Sequence, residues 1–335
     1  MPKEEEINHR KKEHIKLAFE SQVLKADPRF FYEPLLMGHP RDTQKLEIEI
    51  VNKILDYPIW ISSMTGGAKI AKEINKNLAK VAAKYKLGMG LGSCRVILNN
   101  NTYIADFAVR KYINNQPLFA NLGIAQIGLL TTQNKIETIR ELIKKTEADG
   151  LIVHINPLQE WMQPGGDRYY EAPLQTIEKL IDKLDFPIII KEVGQGFGPK
   201  SIAALLKLPI EALDYGALGG TNFSKLEFLR HQTPRMDALA DTINIGHTAL
   251  EMTEIINLIK KESPKNINAK KIIVSGGIAS YLDGYFHIKK LQIPAIYGQA
   301  SAMLKYAQIG YEPLEEYVLG QIEGLQLAQQ FLTLK

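Results

Sequence analysis

Along most of the chain, short apolar runs alternate with polar or glycine-rich breaks, and these lead into stretches whose apolar positions recur every three or four residues. The first pattern marks strands buried on both faces, the second amphipathic helices. Core strands are expected at 58–62, 87–91, 117–122, 150–155, 186–192, 212–215, 271–275 and 294–298, and helical periodicity runs through 71–85, 131–148, 174–184, 201–206 and 248–260. Eight buried strands alternating with helices predict an α/β protein, a single (β/α)8 TIM barrel, with a doubly wound open sheet as the alternative. Residues 8–24 read as a charged helix in which Ile15, Leu17, Ala18 and Val23 give only a modest apolar face. Residues 27–57, with Pro28, Pro34 and Pro40, read as a loop and a β-rich lead-in. The expected organisation is an N-terminal helix and lead-in over 1–57 covering the barrel, a catalytic barrel over 58–310, and a C-terminal helix of the same domain over 311–335.

In parallel α/β folds the chemistry sits where strands end. The fourth strand ends most abruptly: Leu151-Ile152-Val153 passes into His154-Ile155-Asn156-Pro157-Leu158-Gln159-Glu160 and then Trp161-Met162-Gln163-Pro164-Gly165-Gly166-Asp167-Arg168. Each residue alone reads as a strand cap. Together, a carboxylate beside an amide with an arginine nearby suits a cation-bridged anion such as a diphosphate. After the first strand, Ser62-Ser63-Met64-Thr65-Gly66-Gly67 is either a tight turn or a place where backbone amides approach a flat ligand. After the second, Ser93 and Arg95 suit a phosphate, or a surface ion pair, while Cys94 has no base assigned to it and reads as a small filler. Asn121 at the third strand end must hydrogen-bond to a cofactor amide edge or to neighbouring backbone. At the fifth, Lys191 is costly to bury without an anion opposite. Its neighbour Glu192 points to the other face, so a functional role is favoured over a structural pair. Glycine turns after the seventh and eighth strands, Ser275-Gly276-Gly277-Ile278 and Gly298-Gln299-Ala300-Ser301, each open a helix, as phosphate sites do. With Lys191 they point to a phosphate-bearing cofactor, FMN being the usual one.

The 335 residues are 45% hydrophobic and 23% charged, ordinary for a globular protein. A net charge of +4, too small and dispersed for nucleic acid, fits a phosphorylated small-molecule substrate as well as a normally solvated surface. Cys94 is the only cysteine, which excludes an intramolecular disulfide and a thiolate metal site and fits a reducing cytoplasm. Residues 1–21 lack the apolar centre of a signal peptide, and no run is long enough to span a bilayer, so a cytoplasmic protein without membrane partners is expected. Arg10-Lys11-Lys12-Glu13-His14 reads as a solvated helix face, or as a phosphate clamp if placed over a site.

Taken in order, Arg10-Lys11-x-Glu13-His14, Ser63-Met64-Thr65-Gly66-Gly67, Gly92-Ser93-x-Arg95, Ala120-Asn121-Leu122-Gly123, His154-x-Asn156-Pro157-Leu158-Gln159-Glu160, Lys191-Glu192-Val193-Gly194, Gly219-Gly220-Thr221 and Ser275-Gly276-Gly277-Ile278 resemble the type 2 isopentenyl diphosphate isomerases. The resemblance runs from about residue 8 to residue 304. It implies FMN at the C-terminal face of the barrel strands, Mg2+ bridging enzyme and diphosphate, NADPH as flavin reductant, and a homo-oligomer, tetrameric or larger. It implies flavin contacts from Ser63, Met64, Thr65, Gly66, Ser93, Asn121, Lys191 and Thr221, and phosphate contacts from Gly276, Gly277, Ala300 and Ser301. Arg10, Lys11, Ser93, Cys94 and Arg95 are assigned to the substrate, His154 and Gln159 to substrate and catalysis together with Lys191, and Glu160 to the metal. The implied reaction is a 1,3-allylic proton shift on isopentenyl diphosphate. The chain departs from the family pattern at Cys94, Gly216, Asn222-Phe223 and Ala279. An FMN-dependent 2-hydroxy acid oxidase is the alternative, but it needs a histidine followed closely by glycine and arginine, and Leu218-Gly219-Gly220-Thr221 has neither charged group. A non-catalytic flavin-binding barrel would not need Lys191, Gln159 and Glu160 together.

Overall fold

The apolar runs become eight parallel strands, β1 (Ile59–Ile61), β2 (Gly88–Gly90), β3 (Leu118–Gly123), β4 (Gly150–Ile155), β5 (Ile188–Glu192), β6 (Ala212–Asp214), β7 (Lys271–Ser275) and β8 (Ala295–Gln299). Each pairs with the next in chain order, and β8 closes on β1 through Tyr297 opposite Ile59, so the sheet is a closed barrel without edges. This computed structural model describes the whole chain except Met1, Asp42, Met64, Thr65, Gly67, Ala68, Lys69 and Asn99, and except the side chains of residues 2–7.

The helices are α1 (Pro2–Leu17), α2 (Ala71–Tyr85), α3 (Ile124–Thr132), α4 (Glu137–Thr146), α5 (Pro157–Met162), α6 (Pro173–Ile181), α7 (Pro199–Leu206), α8 (Phe223–Arg230), α9 (Ala249–Glu262), α10 (Tyr281–Lys290), α11 (Ser301–Ile309) and α12 (Tyr311–Phe331), besides short turns. Their starts follow local chemistry. Proline opens α5, α6 and α7, where its missing N–H costs nothing, and capping boxes open α9 (Thr248 with Glu251) and α10 (Ser280 with Asp283). The helix expected over 131–148 begins only at Glu137, as α4, because the chain leaves α3 at Thr132 and turns at Asn134 in the left-handed region (φ 54°). The expected helix over 8–24 ends at Leu17, and Phe19, Val23 and Leu24 beyond it are exposed: the segment has too narrow an apolar face to pack.

Trp60, Phe119, Ile152, Ile189, Ile273 and Ile296 fill the barrel interior. A β-hairpin from the lead-in, Ile48–Ile50 with Lys53–Leu55, closes its N-terminal end by driving Ile50 and Leu55 into the same cluster. The hairpin turn at Val51 and Asn52, both at positive φ, is held by Glu211, which accepts from the Val51 N–H (2.9 Å) and from Lys270 (2.8 Å). Lys53 reaches Asp149 at 2.6 Å, and Arg110 holds the other oxygen of that carboxylate. Stability is therefore concentrated at the end of the barrel opposite the strand C-termini. Among the described residues no helix is long and apolar enough to cross a membrane.

Phe119 is fully buried, edge-on to Trp60 at 5.8 Å. Phe119→Ala should cost about 3–5 kcal/mol of stability, because the closed barrel cannot collapse around the lost ring. Urea unfolding should show a lower midpoint with an unchanged slope.

Candidate active site

Two cavities open at the strand C-termini and meet. The first, about 420 Å³, lies above β5 to β8 and is floored by glycine turns. Gly276 and Gly277 sit at φ 85° and 73°, and a Cβ on Gly276 would lie 2.1 Å from the Ala217 carbonyl oxygen. Only glycine fits there. Gly219 and Gly220 abut them across the turn, exposing backbone to the cavity, and α11 opens at its rim with Ala300 and Ser301, followed by Lys305 one turn on. Thr221 and Ser63 line the same cavity, and the hydroxyls of Ser62 and Ser63 are buried with no partner among the described residues.

Lys191, at the C-terminal end of β5, is buried and lines both cavities. It stands in register with His154 on β4 and Asp214 on β6. Its ammonium donates to the backbone carbonyl of Glu192 at 2.6 Å, not to that residue's carboxylate, as expected of strand neighbours that face opposite ways. The Glu192 carboxylate instead accepts from the N–H groups of Gly194 (2.7 Å), Gln195 (2.5 Å) and Gly196 (2.9 Å), fixing the loop that follows. Burial pushes its pKa up to about 7 against those three donors. Asp214 is fully buried; one of its oxygens accepts from Ser275 and the other has no partner among the described residues. Burial raises its pKa, opposed by the Lys191 ammonium.

The second cavity, about 210 Å³, lies above β2 to β5 and is polar. Ser93, Arg95, Asn121, His154, Gln159 and Glu160 line it, joined by Gln126, Asn156 and Gln163. Asn121 donates to the Leu91 carbonyl (3.0 Å) and accepts at its oxygen from His154 Nδ1 (2.8 Å). That places the imidazole proton on Nδ1 and leaves Nε2 as an acceptor. Burial, helped by the Lys191 ammonium, pushes the His154 pKa down to about 3, so the ring is neutral at ordinary pH. Asn156 donates to Gln159 and to Glu160 Oε1, both at 3.0 Å, while its own oxygen is buried without a partner among the described residues. Glu160 Oε2 accepts from the Asp167 N–H at 2.8 Å. Arg168 and Arg235 cap the carbonyls at the end of α5, which carries Gln159 and Glu160, and Arg168 lies over the Trp161 ring at 4.8 Å.

Not every expected residue comes together here. Arg10 and Lys11 are exposed on α1 and line neither cavity. Cys94, placed with the substrate set by resemblance, is fully buried beneath the cavity, its thiol bonded to the Gly92 carbonyl (3.4 Å) and raised by burial to about 12; it is a filler. Gly66 lies against the Phe107 ring, where a Cβ would come within 2.2 Å, and belongs to neither lining. Met64 and Thr65 lie outside the described residues. Ser93, expected at both ligands, lines only the second cavity. Sequence reasoning gave no role to Asp214, Gln126 or Lys305. Only Lys305 left a local signal, a cation one helical turn beyond Ser301.

The comparisons bear on the family and the fold. No family model matches the chain. The isopentenyl-diphosphate delta-isomerase of Rickettsia akari is 34% identical over 336 residues, covering 98% of this chain and 94% of the relative. That of Rickettsia africae is 36% identical over 288 residues, covering 85% and 80%. Among solved structures, a mandelate oxidase mutant with a monooxide FMN adduct superposes with a TM-score of 0.60 at 12% identity, covering 92% of this chain and 88% of that one. A flavocytochrome b2 mutant with benzoylformate gives a TM-score of 0.60 at 13% identity, over 91% and 76%. At these identities the superpositions establish the barrel fold.

The neutral state of His154 has a pH signature. Below its ordinary pKa of 6.5 the unfolded chain takes up a proton that the folded site refuses until about pH 3, so this contribution to stability is complete above pH 6.5 and is lost as pH falls. His154→Gln should therefore lose less stability than the parent between pH 6.5 and 4.5, read as the shift in urea midpoint.

Proposed function

Since the chain belongs to the type 2 isopentenyl-diphosphate delta-isomerase family, we propose that it converts isopentenyl diphosphate to dimethylallyl diphosphate by a 1,3-allylic proton shift, with FMN in the first cavity, Mg2+ at Glu160 in the second, and NADPH as the reductant of the flavin. One observation carries the reading: Ser63, Lys191, Val193 and Phe223 line both cavities, so a flavin ring in one faces a substrate in the other.

The residues fit both groups. Unpartnered Ser62 and Ser63 hydroxyls, the glycine floor at 276–277 and the start of α11 with Lys305 suit a flat ring ending in a phosphate. For the metal, Glu160 and the unpartnered Asn156 oxygen are hard donors. Among the described residues no cluster of three or more His, Cys, Asp or Glu side chains forms a metal cage. A single carboxylate suits a cation that keeps water and takes its remaining ligands from substrate phosphates.

When bound, the reduced flavin supplies an electron-rich edge that exchanges protons with an alkene. Lys191 places a positive charge against the anionic form of that ring and is attracted by Asp214, in register on the next strand. Arg95 and Ser93 receive the diphosphate, and Gln159 and His154, whose free Nε2 accepts a hydrogen bond, orient the substrate or relay its proton. Phe223 and Val193 form the apolar wall at the junction and keep water from the cation-like centre. Arg10 and Lys11, on an α1 that touches neither cavity, join the diphosphate only when α1 lies over the mouth. The homo-oligomer that the resemblance implies would cover exposed apolar side chains such as Leu35, Leu36 and Met37.

The decisive experiment is anaerobic proton NMR of the purified protein with FMN, NADPH, Mg2+ and isopentenyl diphosphate in deuterated water. Deuterium-labelled dimethylallyl diphosphate without stoichiometric NADPH consumption is expected; a bound, reducible flavin with no product would sink the isomerase reading and favour a net oxidoreductase. Glu160→Ala should abolish Mg2+-dependent turnover while FMN stays bound, as absorbance after gel filtration will show. Lys191→Ala should weaken FMN binding about tenfold, the scale of one lost charge-assisted hydrogen bond, measured by flavin fluorescence titration.

A further inference from the structure

Asp167 received no role from sequence, yet it joins three separate parts of the second cavity. The chain leaves α5 and folds back through Gly165 and Gly166; a Cβ on Gly166 would lie 2.1 Å from the Glu160 carbonyl oxygen, so glycine is required for this return. The return delivers Asp167 with its N–H on Glu160 Oε2 at 2.8 Å. Its carboxylate oxygen Oδ2 accepts from Arg95 in the loop after β2 and from Gln126 on α3, both at 2.7 Å. One residue thus connects the candidate metal ligand, the candidate diphosphate arginine and a buried amide, across 72 positions of sequence in the case of Arg95.

The geometry of Arg95 gives this contact its meaning. Asp167 engages one terminal nitrogen of the guanidinium, and among the described residues the Arg95 side chain makes no other hydrogen bond. The guanidinium is planar and rigid, so fixing one nitrogen sets the direction of the others. Arg95 lines the cavity, whereas Asp167 does not. The carboxylate therefore stands behind the arginine, where its negative charge is offset before an anion reaches the site. A long, half-exposed side chain without such an anchor would have to be ordered by the substrate itself, at the expense of affinity.

We propose that Asp167 is the positioning residue of the diphosphate subsite: its carboxylate aims Arg95 at the substrate anion, and its backbone N–H holds the metal-binding carboxylate of Glu160 in the same frame. This rests on the isomerase reading, in which Arg95 meets the diphosphate and Glu160 the metal. It adds a residue that touches neither ligand and acts on both through its neighbours.

Calorimetric titration of the FMN-loaded protein with inorganic pyrophosphate in the presence of Mg2+ tests this. Asp167→Ala should weaken binding about tenfold, the scale of a lost charge-assisted hydrogen bond, and in turnover the loss should appear in KM while kcat is held. Asp167→Asn keeps an oxygen that accepts from Arg95 and Gln126, and should bind within about threefold of the parent. If Asp167 acts through Arg95, then Asp167→Ala combined with Arg95→Ala should bind no more weakly than Arg95→Ala alone. FMN retention and the urea midpoint serve as controls for folding. Binding by Asp167→Ala as tight as the parent's or tighter would mean that the carboxylate merely competes with the anion, and an additive loss in the double variant would mean that it acts independently of Arg95; either result overturns the proposal while leaving the isomerase reading intact. A parent protein that turns over isopentenyl diphosphate yet binds no Mg2+-pyrophosphate would remove Asp167's role alone. Absence of both binding and turnover would remove the site reading as well.

Discussion

The structure depends on one electrostatic constraint, an ammonium buried at the end of a barrel strand. β5 is apolar from Ile188 to Ile190 and then delivers Lys191 inward, into a rim whose strands are otherwise closed against water. An isolated charge there would cost several kcal/mol. The barrel meets that cost with Asp214 in register on the next strand and with the Glu192 carbonyl, and it keeps His154 on the preceding strand neutral. The same charge sits where the two cavities join, so a group that is costly to bury is also the one that lines both of them.

The barrel was legible in the sequence because its strands are buried on both faces. Runs such as Leu151-Ile152-Val153 and Ile188-Ile189-Ile190 fit a parallel sheet, and β4 and β7 begin and end where the pattern places them. The failures have local causes. The helical stretch expected over 131–148 runs across the turn at Asn134, and periodicity alone cannot register a left-handed residue. α1 ends early because helix propensity without a packing face does not extend a helix.

The site was legible as far as strand ends reveal it. Lys191, His154, Gln159, Glu160 and the glycine turns all lie directly after apolar runs, so fold expectation and polarity together single them out. Hidden from the sequence were residues whose part exists only through contact. Asp214 is the last residue of a short buried strand and looks like a polar strand end until Lys191 stands beside it. Gln126 sits on the inner side of a helix. Asn121 was read with two candidate partners; the structure gives it the Leu91 backbone and His154, so its visible work is to choose the tautomer of the imidazole.

The superposition on mandelate oxidase and flavocytochrome b2 establishes a common barrel and nothing finer. Hydride removal from a 2-hydroxy acid requires a base and a carboxylate-binding cation over the flavin. After β6 this chain places Leu218-Gly219-Gly220-Thr221, whose last three residues line the first cavity and which carries no titratable group. Its charged groups are instead gathered above β2 to β5, where Arg95, Asp167 and Glu160 interlock. On the proposed function, a cofactor over β5 to β8 would be held by backbone, hydroxyls and one buried ammonium, and an anionic substrate beside it by Arg95 and Glu160, which do not line the first cavity. Val193 and Phe223 form an apolar strip where the two cavities join, beside Ser63 and Lys191.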